Sequence, residues 1–151
     1  MKKCLPLLLS LALLLNACGL QSRQDPVLAS LGQYEAKEFY TSGGFQDYTD
    51  FAKYTYSSAD LEDNPYFAPV SSEDRDTLGL FLDDFENWIE TIRWSDPDNE
   101  VVVNYAFDRS LIGTGDYFYI YEDGDYPKFG CYDVWFLDGQ TKVLYYFHSN
   151  I

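Results

Sequence analysis

The chain has 151 residues and carries 25 acidic against 10 basic side chains, a net charge of −15 at pH 7. A surface so acidic is repelled by phosphate backbones, which excludes nucleic acid as a partner. The length suits one domain, and 14 Tyr, 11 Phe and 3 Trp supply enough apolar area for a core without metal or disulfide help.

Lys2 and Lys3 precede an apolar run from Leu5 to Leu15, which is followed by Asn16, Ala17 and Cys18. That run is too short for a hydrocarbon core of roughly 30 Å, which takes about 20 helical residues. The layout is that of a cleaved export signal. Leu15-Asn16-Ala17-Cys18 resembles the lipobox of bacterial lipoproteins. The resemblance spans residues 1–18 only. It implies a signal peptide over 1–17, a diacylglyceryl thioether on Cys18, and a lipid-anchored place in the cell envelope with the domain outside the cytoplasm. Two or more acyl chains hold a protein stably on a bilayer. With Cys4 removed and Cys18 lipidated, Cys131 has no intramolecular partner.

Residues 18–27 read as the lipidated cysteine and a polar tether, and 28–151 as a single globular domain. From Leu28 to Tyr56 the pattern reads as helical, broken at Ser42-Gly43-Gly44. Phe45, Tyr48, Phe51, Ala52 and Tyr56 recur at spacings of three and four. Residues 57–70, with Pro65 and Pro69, read as loop. A clear amphipathic helix follows. Ser71 or Ser72 caps it, Glu73, Asp74 and Asp76 suit its N-terminal dipole, and Leu78, Phe81, Leu82, Phe85, Trp88, Ile89 and Ile92 form one stripe.

After Glu100 the period becomes two. Strands are expected over 101–107, 117–121, 131–137 and 142–147, separated by Gly- and Asp-rich turns. The expected fold is therefore α+β: two or three N-terminal helices packed on a three- to four-stranded antiparallel meander. A two-residue type I′ turn at Asp138-Gly139 sets Leu137 opposite Gln140, Trp135 opposite Lys142 and Cys131 opposite Tyr146. Tyr132, Val134 and Phe136 then share an apolar face, and Cys131, Asp133 and Trp135 an amphipathic one.

Cys131 and His148 lie on that amphipathic face, one diagonal step apart, and form the sharpest thiol–imidazole pair available. Cys131 sits in an apolar strand and no Gly-rich turn beside it offers an oxyanion hole, so no catalytic site is assigned. One His and one free Cys cannot build a four-ligand zinc site. The acidic runs at 96–100 and 122–125 lack EF-hand spacing and read as solvated turns, so neither metal nor cofactor is expected.

The aromatic residues carry the functional reading. Tyr117, Tyr119 and Tyr121 alternate along one strand. With Phe118 and Ile120 turned to the core, they join Asp133, Trp135 and Tyr146 on one face, a rigid surface suited to an envelope protein or glycan. The competing reading packs these tyrosines beneath the N-terminal segments. The expectation is a membrane-tethered, non-enzymatic binding or interaction domain. An envelope hydrolase using Cys131–His148 or a carboxylate pair, and a structural accessory subunit of an envelope complex, are the alternatives.

Overall fold

The computed structural model of the protein describes residues 25–44, 47–123 and 130–150, so Cys18 and the lipobox-like residues lie outside the described part. In chain order the elements are α1 (Pro26–Ser30), β1 (Ala36–Thr41), β2 (Tyr48–Thr55), β3 (Ala68–Pro69), α2 (Ser72–Ser95), α3 (Glu100–Asn104), a 3₁₀ turn (Arg109–Leu111), β4 (Tyr117–Asp123), β5 (Cys131–Leu137) and β6 (Val143–Asn150). The strands form one antiparallel sheet in the order β1-β2-β6-β5-β4-β3.

This corrects the expected fold class. The protein is mostly β, with six strands rather than three or four, and among the described residues α2 is the one helix longer than seven residues. The segment 28–56, read as helical, holds only the end of α1 and then the hairpin β1–β2. Tyr48, Phe51, Ala52 and Tyr56 matched a helical stripe because β2 is buried on both faces, which erases the period-two contrast. Phe45 falls outside the described residues. Asp25, Pro26 and Val27, read as tether, start α1. The Asp25 carboxylate accepts from the amides of Val27 (2.7 Å) and Leu28 (3.4 Å), and Pro26 occupies the first turn.

The expected strand at 101–107 is also overturned. Asn99 caps α3 by accepting from the Val101 amide at 3.1 Å, and Val101 and Val102 are buried. A capped turn with two buried valines outweighs their β preference.

Helix α2 covers one face of the sheet. Ser71 and Asp74 form a reciprocal capping box, and Leu78, Phe81, Leu82, Phe85 and Ile89 of its stripe are buried. They pack against Phe51, Tyr132, Val134, Phe136 and Phe147. Each such buried side chain contributes roughly 1.5–3 kcal/mol from area removed from water. Arg109 ties the following segment to α2, donating to Glu86 at 3.1 and 2.8 Å and to Asp83 at 2.6 Å.

The opposite face has its own core. Val27, Leu28 and Leu31 of α1 and its cap, with Tyr56 and Phe67 flanking the 57–66 loop, lie on Ala52, Tyr54, Trp135, Leu137 and Leu144.

The β5–β6 connection differs from the expected two-residue turn. Asp138 and Lys142 bound a longer loop in which the Asp138 Oδ1 accepts from the amides of Gln140 (2.8 Å) and Thr141 (3.0 Å), and Lys142 takes a positive φ of 60°. Leu137 therefore pairs Leu144, Trp135 pairs Tyr146 and Cys131 pairs Asn150. The slip is even, so each residue keeps its face.

Two glycines give opposite expectations. A Cβ on Gly139 would sit 1.9 Å from the Gly115 carbonyl oxygen, a backbone atom, while one on Gly79 meets nothing within 4 Å. Gly139→Ala should lose about 1–3 kcal/mol by forcing the two loops apart. Gly79→Ala, inside α2, should gain about 0.5–1 kcal/mol. Urea unfolding of both variants checks the pair; an unchanged midpoint for Gly139→Ala would contradict the packing of these loops.

Candidate functional site

The register sorts the second face into rows that run across the strands. Tyr117, Leu137, Leu144 and Tyr54 form the first row. Tyr119, Trp135, Tyr146 and Ala52 form the second, and Tyr121, Asp133, His148 and Asp50 the third. All six residues singled out from the sequence (Tyr117, Tyr119, Tyr121, Asp133, Trp135 and Tyr146) thus share this face. Phe118 and Ile120 point the other way and pack with the α2 core.

The rings touch in sequence across the sheet. Tyr66, from the loop after β2, meets Tyr119 edge-on at 5.3 Å between centroids. Tyr119 stacks on Trp135 at 5.4 Å, Trp135 lies 5.1 Å from Tyr146, Tyr146 stacks on His148 at 6.2 Å, and Tyr48 lies 4.9 Å from His148. Contacts of this kind contribute about 0.5–1.5 kcal/mol beyond burial and fix the rings rigidly.

Exposure grades along the face. The first row lies under α1 and the 57–66 loop, so Tyr117 packs there with only part of its surface free. Trp135 is buried at 4% exposure, whereas Tyr121 is 47% exposed. The reading in which the tyrosines pack beneath N-terminal segments therefore describes the first row and part of the second, and Tyr121 stands clear of it.

Asp133 is the centre of the polar chemistry. Its Oδ1 accepts from the Tyr146 hydroxyl at 2.6 Å and from His148 Nδ1 at 2.7 Å. Burial and the Asp133 charge push the Tyr146 phenol far above the usual tyrosine range, so it stays a neutral donor. The Nδ1 bond fixes the imidazole tautomer with its proton toward Asp133. Both bonds fall on Oδ1. Oδ2 has no hydrogen-bond partner among the described residues, on a side chain that is 21% exposed.

Asp50, opposite His148 on β2, was not singled out from the sequence, because 28–56 read as a helix. Burial of β2 on both faces left no period-two contrast to mark it. Asp50 and His148 are each about nine-tenths buried, and Asp50 Oδ1 and His148 Nε2 have no hydrogen-bond partner. Burial raises the Asp50 pKa above the usual aspartate value, with Thr41 and His148 pulling the other way.

Cys131 also lies on this face, diagonal to His148 across β5 and β6. Burial and the carboxylates of Asp133 and Asp123 push its pKa up, opposite to what a nucleophilic thiolate needs. The His148 Nδ1 is already engaged by Asp133. Among the described residues, no group of three or more His, Cys, Asp or Glu side chains could hold a metal ion. The acidic run at 96–100 lies at the α2–α3 junction, where Asn99 and Glu100 bond to Ser42 and Thr41 of the β1 end. Asp125 falls outside the described residues.

No family model matches this chain, and neither the curated proteins nor the solved structures contain a match to it.

A carboxylate with a raised pKa favours the folded state while protonated, and that advantage is lost as pH rises through the raised value. Asp50→Asn removes the charge whose burial raises this pKa, so it should raise the melting temperature at pH 7. The gain should shrink toward pH 4. Thermal melts at the two pH values check this, and a lower melting temperature for the variant at pH 7 would mean that the Asp50 charge is compensated.

Proposed function

We propose that the protein is an exported, lipid-anchored domain that holds a partner in the bacterial cell envelope and carries out no covalent chemistry. The anchor rests on Lys2-Lys3, the apolar run to Leu15 and Cys18 after Ala17. No described helix is long and apolar enough to cross a membrane, and a thioether-linked lipid requires none. Anchoring through Cys18 places the acidic domain outside the cytoplasm.

The binding reading is carried by the second sheet face. It combines rings stacked or tilted against one another across β4, β5 and β6 with a carboxylate held in one orientation by Tyr146 and His148. Rigid aromatics give contact area at low entropic cost, and a fixed acceptor adds orientation. Tyr121, Tyr119 and Asp133 are the contact residues. Trp135 and Tyr146 hold them from behind, and Tyr117 supports the covered end.

Two measurements test the reading. Cys18→Ser should move the protein from the membrane fraction to the soluble envelope fraction; identical fractionation of variant and native chains removes the anchor. The native protein, solubilised in nonionic detergent, should retain envelope material that a Tyr119→Ala, Tyr121→Ala double variant does not. Trp94→Ala, at an exposed site on α2, serves as control. Equal retention by native and double-variant proteins removes the face as the contact surface.

A further inference from the structure

The free oxygen of Asp133 narrows the kind of partner this face takes. We infer that the face receives a cationic side chain, a lysine ammonium or arginine guanidinium from a basic segment of a protein partner, seated on Asp133 Oδ2 beside the Tyr121 and Tyr119 rings. The inference rests on the binding reading above and deepens it.

Four observations carry it. First, Tyr146 and His148 both donate to Oδ1, which fixes the carboxylate plane and leaves Oδ2, on a partly exposed side chain, without a hydrogen-bond partner among the described residues. A charged donor gains most from an acceptor that is already oriented, because charge-assisted bonds are about twice as strong as neutral ones. Second, the surrounding charge is one-sided. Asp123 extends the same face of β4, Asp50 lies behind His148, and no Lys or Arg occupies the rows of Tyr119 or Tyr121. Third, Asp50 Oδ1 and His148 Nε2 are unpartnered on side chains nine-tenths buried in the row of Asp133, so the local polar groups do not satisfy one another. Fourth, the protein itself holds an ammonium on this face by its rings. Lys37 Nζ sits 4.7 Å over Phe39 and 5.5 Å over Tyr54, on the exposed edge strand β1. Cations over ring faces gain about 0.5–2 kcal/mol, more as water is excluded.

The probe is a short oligolysine peptide, titrated against the full chain as exported, in nonionic detergent, and followed by amide NMR shifts and calorimetry. The expected shifts centre on Tyr121, Asp133 and His148. Asp133→Asn should weaken binding about tenfold, while Asp76→Asn, the same loss of charge on exposed α2 surface, should change it less than twofold. The Nε-acetylated peptide, which keeps the length but loses the charge, should not bind at this face.

Shifts scattered over the acidic surface, or equal losses in the two Asn variants, would overturn the inference in favour of unspecific charge attraction. Equal binding of the acetylated peptide, or the same shifts with an N-acetylglucosamine oligomer, would overturn it in favour of neutral aromatic recognition. The NMR map on native protein stands even if Asp133→Asn fails to fold. If Tyr119→Ala, Tyr121→Ala abolishes envelope retention while Asp133→Asn leaves it intact, the cation is wrong and the face remains.

Discussion

One sheet carries two cores, and that constraint governs the rest of the structure. Its central strands β5 and β6 are buried on both sides, so every residue in them must be accommodated by packing or by hydrogen bonding. Tyr132, Val134 and Phe136 meet α2, while Trp135 and Leu137 meet α1 and the 57–66 loop. Polar side chains that fall between these layers lose water and must find partners, at a cost of a few kcal/mol where they do not. Asp133, Tyr146 and His148 meet part of that demand among themselves, while His148 Nε2 and Asp50 Oδ1 are left without a hydrogen-bond partner among the described residues. The cluster is thus a product of double-sided burial.

Coverage of the second face is uneven, and the unevenness separates buried rings from exposed ones. The face runs from rings deep beneath the N-terminal segments to Tyr121, which has nearly half its surface in water. Buried members supply stiffness; the outer ones inherit it. An acidic surface around them adds a long-range field that draws positive groups toward the domain before any contact forms. The thiol of Cys131 shares this field, which works against its ionisation.

Where local signals were strong, the sequence and the structure coincide. The Ser71 cap and the apolar stripe of α2, the span of β5, and the shared face of the three β4 tyrosines were all readable from residue type and spacing. There is a definite cause for the illegibility of β2 as a strand. A strand buried on both faces shows no polar–apolar alternation, and the residual spacing of its aromatics imitated a helix. The run Val101-Val102-Val103 failed in the other direction, since Asn99 capped it into a helical turn. At the site, residues of β4 and β5 were visible because aromatic and β-branched runs between Gly- and Asp-rich turns marked both strands, whereas Asp50 and Tyr48 belonged to the hidden strand. The β5–β6 turn was missed because the Asp138 side chain organises a longer loop that composition does not announce.

Strand order adds a kinetic consequence. β6 follows every other strand along the chain, yet it lies between β2 and β5. Until it emerges, the β1–β2 hairpin has no neighbour to join, and the pairing that unites the sheet spans nearly the whole domain. Such non-local closure is slow, since loop entropy is spent before contacts repay it. Were the chain exported as proposed, it would reach the far side of a narrow secretion pore still unfolded and assemble only once released there.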